Sequence, residues 1–154
     1  MTLTSAWNAC ARAARRGAAR ERLQAGSMER SVEIAVVVLM LVTGLSHVLR
    51  PAAWVAFFTM LRERGEAGIF VVALLHLLPA ALIVGFHNRW GGIPTVLTVL
   101  GYLWTLKAAV YLTFPRVGLA LLGRVSMRRA REFVMGGFVL LGVAGLLTYS
   151  IVIG

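Results

Sequence analysis

The chain has 154 residues, of which 59% are hydrophobic and 14% are charged, and its formal net charge is +10 at pH 7. This composition is too apolar for an ordinary soluble domain. The positive charge would suit nucleic acid, but most basic residues flank apolar stretches or lie in the amino-terminal segment, where anionic lipid headgroups attract them equally well. We therefore expect membrane lipids, and no nucleic acid, as partners.

Residues 1–31 form a basic segment rich in alanine and arginine, which we expect to be disordered or a frayed helix. It precedes the first apolar stretch, residues 32–49, which is too long for the hydrophobic part of a signal peptide and is followed by no small-residue cleavage site. We therefore interpret that stretch as a membrane anchor that is not cleaved from the protein. The chain's single cysteine, Cys10, leaves no partner for an internal disulfide.

Four apolar stretches of 18 to 22 residues account for most of the rest: 32–49, 68–86, 93–114 and 133–154. A helix that rises about 1.5 Å per residue needs roughly 20 apolar residues to cross about 30 Å of hydrocarbon. The stretches lack the apolar–polar alternation of barrel strands, which leaves helices as the structure that satisfies the backbone in lipid. The sequence thus predicts an all-α fold, a membrane-embedded up-down four-helix bundle formed by residues 32–154.

The two long connections predict short helices at the membrane surface. Pro51 and Pro115 stand at first-turn positions, and aromatic, leucine and arginine side chains follow them at helical spacing. Both connections lie on one side of the membrane, and residues 87–92 on the other side suffice only for a turn. The side of the long connections carries eight Lys and Arg and the other side seven, so orientation stays open. If translation starts at Met28, the count becomes eight against two, and we expect the long connections to be cytoplasmic.

Titratable side chains are costly at membrane depth and are therefore the candidate functional residues. His47, His76, Lys107 and Tyr111 all lie toward the side of the long connections, and we take them as candidates for ligand binding or proton handling. Small residues on its face place His76 inward. Lys107 lies nearly opposite the small-residue face of its own stretch, and three alternatives stay open: it reaches the headgroups from a lipid-facing position, is buried near His76, or contacts another subunit.

Histidines are also common metal and haem ligands, but His47 and His76 differ in depth by about 9 Å, too far for one metal ion. We expect no metal and no cofactor, and expect these histidines to bond Thr43 or backbone carbonyls. At the opposite side, Glu33 starts the first stretch at the level of His87 and Asn88. A contact between Glu33 and His87 would position two helices.

Nucleophile, base and orienting group cannot be assembled from these residues, so we do not expect an enzyme. The leading hypothesis is a non-catalytic accessory or binding module for a lipid, a quinone or a partner helix, and it leaves open a homo-oligomer or a larger membrane complex. The alternative is a small carrier or redox-linked membrane component that moves protons through His47, His76 and Lys107.

One segment resembles a family of small bacterial four-span membrane proteins of unassigned function. It runs His87-Asn88-Arg89-Trp90, then Thr98, Gly101, Trp104, Lys107 and Phe114-Pro115, against the family pattern His-Asn-x-Trp, Thr-Leu-x-Gly-Trp, Lys-Gly and Phe-Pro. Tyr102 and Ala108 depart from it, standing where the pattern has Trp and Gly. The Gly-Leu-Ser-His of residues 44–47 and the four-span layout are more weakly similar to the DoxX-like group. These resemblances imply a multi-pass protein of the bacterial plasma (inner) membrane and point to Lys107 and His87 as positions to test.

Overall fold

The computed structural model describes residues 3–153, which leaves the first two residues of the basic segment and the last residue of the fourth apolar stretch outside the described part. Within that range the chain forms seven helical segments and no strand, so the predicted all-α class is confirmed. The helices are α1 (Leu3–Leu49), α2 (Pro51–Glu63), α3 (Glu66–Phe86), α4 (Pro94–Thr113), α5 (Pro115–Leu122), a short 3-10 helix (Met127–Arg129) and α6 (Ala130–Ile153).

Four segments are long and apolar enough to cross a membrane: Arg15–Leu49 of α1, α3, α4, and Met127–Ile153, which ends with α6. Apart from the start of α1, the ends of α1, α3, α4 and α6 lie within three residues of the predicted apolar stretches. Proline explains several of these boundaries, because the residue before a proline disfavours helical geometry. Pro51 and Pro115 begin α2 and α5, as the sequence pattern predicts, and the residues before them have non-helical backbone angles. Pro94 begins α4.

The basic amino-terminal segment is helical from Leu3 and continues without a break into the first apolar stretch, so that α1 has 47 residues. Its length is about 70 Å at the helical rise per residue. Alanine and arginine are both strong helix formers, which explains why helix α1 does not end where the composition changes. Residue 31 therefore marks a change of composition and not of secondary structure.

Helices α1 and α6 pack against each other in close, antiparallel contact. A Cβ added to Gly137 would lie 2.7 Å from the carbonyl oxygen of Gly44, so the two backbones nearly touch there. Farther along the pair, Arg30 Nη2 donates a hydrogen bond to the carbonyl oxygen of Ile151 at 3.0 Å. The absence of side chains at Gly44 and Gly137 is what permits the close approach.

Helices α3 and α4 form the second antiparallel pair. A Cβ added to Gly101 of α4 would lie 2.5 Å from Cγ2 of Ile83 in α3, so Ile83 occupies the space that Gly101 leaves. At the end where α3 begins and α4 leads into α5, Ile69 fills the corresponding space beside Gly118 of α5. These contacts fix the register of the pair along its length.

The bundle has two ends, which we call the turn end, where residues 87–93 join α3 to α4, and the loop end, where α2 and α5 lie. An apolar core toward the turn end is formed by α1, α3, α4 and α6. A second core, at the loop end, is formed by α2, α3, α4 and α5. Large apolar side chains also cover the outside of all four long helices, including Val42, Leu78, Leu106 and Val139. Soluble monomers rarely expose apolar surface of this extent.

Candidate functional site

At the turn end, Glu33 of α1 contacts His87, the residue that follows α3. Oε1 of Glu33 lies 2.7 Å from Nε2 of His87, and both side chains are buried. The backbone N–H of His87 donates to the carbonyl of Ile83 at 2.7 Å, which fixes the backbone of His87 at the end of α3. The predicted contact between Glu33 and His87 is confirmed.

The hydroxyl of Thr98 connects this pair to the turn between α3 and α4. Its Oγ1 accepts the backbone N–H of Arg89 at 3.1 Å, donates to the carbonyl of Arg89 at 2.9 Å and lies 3.3 Å from Nδ1 of His87. A hydroxyl has a single proton to donate, and the shorter contact assigns that proton to the carbonyl. Nδ1 of His87 lies beside the same Oγ1, so Thr98 contacts both the turn and the imidazole.

Thr98, His87 and Glu33 together have the hydroxyl, imidazole and carboxylate of a catalytic triad, but their geometry does not suit catalysis. The side chain of Thr98 is fully buried, and its proton is committed to a backbone carbonyl. A nucleophile needs a base that takes its proton and a position that a substrate atom can reach. This cluster therefore orients α1, α3 and α4 at the turn end.

Charged residues of α1 and the turn form one part of the lining of a cavity of about 620 Å³ beside this cluster, among them Glu29, Arg30 and Arg89. The guanidinium of Arg89 lies 3.7 Å from Glu33 and 4.0 Å from Glu29, so both carboxylates have a cationic neighbour. The structure places the third residue predicted at this end, Asn88, on the surface. Its Oδ1 accepts the indole N–H of Trp90 at 2.7 Å instead of joining the buried pair.

Toward the loop end, His76 of α3 and Lys107 of α4 form a direct hydrogen bond. Nδ1 of His76 donates to the carbonyl of Val72 at 2.8 Å, which leaves Nε2 with a lone pair. Nζ of Lys107 lies 2.9 Å from that Nε2, so the lysine donates to the histidine. Of the three alternatives for Lys107, the structure displays the one in which it meets His76.

Aromatic rings enclose the two nitrogen groups. Nζ of Lys107 lies 5.6 Å from the centre of the Tyr111 ring, and the Trp104 ring meets His76 edge-on at 6.1 Å. Tyr111 is buried and packs within the loop-end core. Over residues 15–153, no carboxylate lies within 4.0 Å of Nζ. His76 and Lys107 are half-buried beside exposed Leu103, so the site opens sideways to the outside of the bundle.

His47 occupies a separate position at the end of α1, where it anchors α2. Its Nδ1 donates to the carbonyl of Thr43 at 2.8 Å, and its ring stacks on Trp54 with 4.0 Å between centroids. The indole N–H of Trp54 donates to Oγ of Ser46 at 3.0 Å. The expectation of backbone-bonded histidines is thus confirmed for His47 and His76. The stack with Trp54 was not predicted, although the spacing of seven residues across Pro51 is a usable signal.

The polar groups at the two ends are not connected to each other. His76 and His87 are separated by eleven residues of α3, which is about 16 Å along the helix. The buried side chains of α3 between them, Ala80 and Ile83, are apolar, and both pack tightly in the bundle. Within the described part of the chain, no group of three or more His, Cys, Asp or Glu is arranged to hold a metal ion.

No protein-family model, no curated protein and no solved structure matches the chain. The resemblance of residues 87–115 to a family of four-span proteins therefore stays a prediction.

Proposed function

We propose that the protein is a multi-pass protein of a bacterial plasma membrane, in which the four long helices cross the bilayer as an up-down bundle. The lengths and apolar compositions of these helices support this placement. So does the apolar outer surface, because lipid would cover side chains such as Leu78 and Leu106 that the protein leaves exposed. In this arrangement α2 and α5 lie in the headgroup layer at the loop end.

We further propose that the protein is a non-catalytic binding module whose ligand is a lipophilic molecule with a carbonyl oxygen, such as a quinone or a lipid ester. The hydrogen bond from Lys107 to His76 carries this proposal. An ammonium group has three N–H donors, and His76 accepts one of them. With no carboxylate within 4.0 Å in the described residues, the other donors are available to a ligand.

The surroundings of Lys107 favour such a ligand over a substrate that is chemically transformed. The carbonyl of Val72 fixes the His76 ring as an acceptor, so His76 orients the ammonium group and does not serve as a general acid toward it. A charged amine within the hydrocarbon layer is unfavourable by a few kcal/mol, and an oxygen acceptor would offset part of that cost. The site opens between α3 and α4 toward the bilayer, where a lipophilic ligand enters without crossing water.

The test is to identify what stays bound to the purified protein. We expect solvent extraction and native mass spectrometry to reveal a quinone or a defined lipid on the wild type, and the Lys107→Met variant to retain about tenfold less, as the loss of one charge-assisted hydrogen bond implies. Leu106→Met, on the same helix, exposed and turned away from the opening beside Leu103, is the control and should retain the ligand. Equal retention by the two variants would contradict the proposal, and the extracted molecule distinguishes quinone from lipid.

A proton carrier is the second candidate, because the contact of Lys107 with His76 joins two groups that exchange protons. It predicts a protonation-dependent flux in vesicles that His76→Ala abolishes. The apolar side chains of Ala80 and Ile83, which separate this pair from the turn-end cluster, argue against a continuous path. An unchanged flux in the His76→Ala variant would remove this candidate.

A further inference from the structure

A second cavity, of about 380 Å³, lies at the loop end and shares no residue with the Lys107 site. It is formed where α1 ends, where α5 leads into the 3-10 helix and where α6 begins. We call it the loop-end cavity. Its lining combines two arginines, a glutamate and a histidine with four apolar residues or glycine: Arg124, Arg129, Glu132, His47, Leu121, Val125, Phe133 and Gly136.

The polar side of the loop-end cavity carries an excess of positive charge. Nε of Arg129 lies 3.0 Å from Oε1 of Glu132, so this arginine and this glutamate compensate each other. Arg124 has no carboxylate within 4.0 Å in the part of the chain that the structure describes. His47 adds a nitrogen group, since Thr43 engages its Nδ1 and Nε2 makes no hydrogen bond to another described residue. The cavity therefore offers a net cationic surface with an unoccupied ring nitrogen.

The opposite side of the loop-end cavity is apolar and has room for hydrocarbon. Leu121, Val125 and Phe133 supply the apolar surface. A Cβ added to Gly136 would have no atom within 4 Å, so this glycine leaves open space and does not serve close packing. A ligand that fits must be negatively charged at one end and apolar at the other.

We propose that the loop-end cavity binds the headgroup phosphate of an anionic phospholipid. Arg124 and Arg129 donate to the phosphate oxygens, because the planar guanidinium matches phosphate geometry, and the glycerol and first methylenes lie against the apolar wall. In the proposed membrane placement the cavity is at headgroup level, where such lipids are abundant. This inference rests on that placement, but not on the ligand proposed for Lys107.

The test is native mass spectrometry of the detergent-solubilised protein with phosphatidylglycerol and phosphatidylcholine of equal chain length. We expect the wild type to prefer phosphatidylglycerol, and Arg124→Gln to lower its binding roughly fivefold, the effect of one arginine near a lipid phosphate. Arg128→Gln is the matched control, because Arg128 is exposed on the same linker and does not line the cavity. Equal losses in the two variants would mean unspecific attraction and would overturn the proposal.

A second pair of variants tests the cavity by shape instead of charge. Gly136→Leu should fill the cavity and lower phosphatidylglycerol binding, whereas Gly142→Leu, at another open position of α6, should not. Unchanged binding in Gly136→Leu would contradict the site. Inorganic phosphate at millimolar concentration should compete less well than a short-chain phosphatidylglycerol, and equal competition would overturn the lipid assignment. Lys107→Met should leave phosphatidylglycerol binding intact. The proposal for the loop-end cavity and the proposal for the Lys107 site can therefore fail independently of each other.

Discussion

Glu33 and His87 are 54 positions apart in the sequence, yet their side chains meet at 2.7 Å in the buried part of the turn end. The contact ties α1 to the end of α3, and Thr98 of α4 adds a third helix through the same imidazole. Three helices that carry otherwise apolar surfaces thereby gain a directional contact. In the proposed membrane placement, where apolar packing alone specifies register weakly, such a polar contact would fix how the helices are placed.

Replacing Glu33 should destabilise the bundle strongly. Glu33→Ala leaves the fully buried His87 without its partner, and we expect the free energy of unfolding to fall by about 3 kcal/mol. Glu29→Ala is the control, because Glu29 is partly exposed and lies 4.0 Å from Arg89, a contact worth less than about 1 kcal/mol. Unfolding in detergent, followed by circular dichroism, measures both variants. Similar losses would show that the buried pair does not hold α1 to α3.

Removing the hydroxyl of Thr98 should loosen the turn between α3 and α4. Thr98→Val deprives the backbone of Arg89 of its side-chain partner, and we expect a loss of roughly 1–3 kcal/mol. Thr105→Val offers a comparison, because Thr105 bonds only the Gly101 carbonyl of its own helix. We expect little change there, and hydrogen exchange at residues 87–92 should accelerate in the Thr98 variant alone.

The contact between α1 and α6 should be sensitive to one methyl group. Gly137→Ala places a Cβ 2.7 Å from the backbone oxygen of Gly44, which forces the helices apart and should cost about 1–3 kcal/mol. Gly142→Ala meets open space and should be neutral or stabilise the helix by up to about 1 kcal/mol, as alanine does in place of glycine. The midpoint of thermal unfolding should therefore shift in opposite directions. A fall of equal size in both would exclude close packing at Gly137 as the cause.

The loop end should face the cytoplasm, because it gathers most of the basic residues outside the amino-terminal segment. Alkaline phosphatase fused after Gly154 should then be active, and a fluorescent protein fused there and exported unfolded should be dark. The same reporters inserted after Ser126 should give the reverse pattern. If instead the reporter that works only in the cytoplasm is active at Gly154, the predicted orientation is wrong.

The helices could be predicted from the sequence because their signal is local. Apolar runs and prolines such as Pro51 and Pro115 delimit segments without reference to the rest of the chain. The contact of Glu33 with His87 could also be predicted, since both stand at ends of apolar stretches on the same side. Depth along the membrane normal is simple to count, and these two depths agree.

Contacts around the helix axis were harder to predict. The small-residue face of α4 left three alternatives open for Lys107, because a long side chain can reach Nε2 of His76 from a position that its Cα does not suggest. The stack of His47 on Trp54 depends on how α2 folds back after Leu49, and the seven-residue spacing across Pro51 was the one local signal for it. The composition of residues 1–31 left a frayed helix and a disordered tail as alternatives, because alanine-rich and arginine-rich segments form both, and the structure has a helix from Leu3.

Cysteine accessibility in intact membranes tests most directly the claim that lipid covers the apolar outside of this bundle. In a Cys10→Ser background, a cysteine at Leu106, which is 62% exposed in the protein alone, should not react with a membrane-impermeant maleimide until the membrane is dissolved. A cysteine at Ser126, in the exposed linker before α6, should react at once when the reagent has access to the loop end. Rapid labelling of both positions in sealed vesicles would place Leu106 in water and contradict the account.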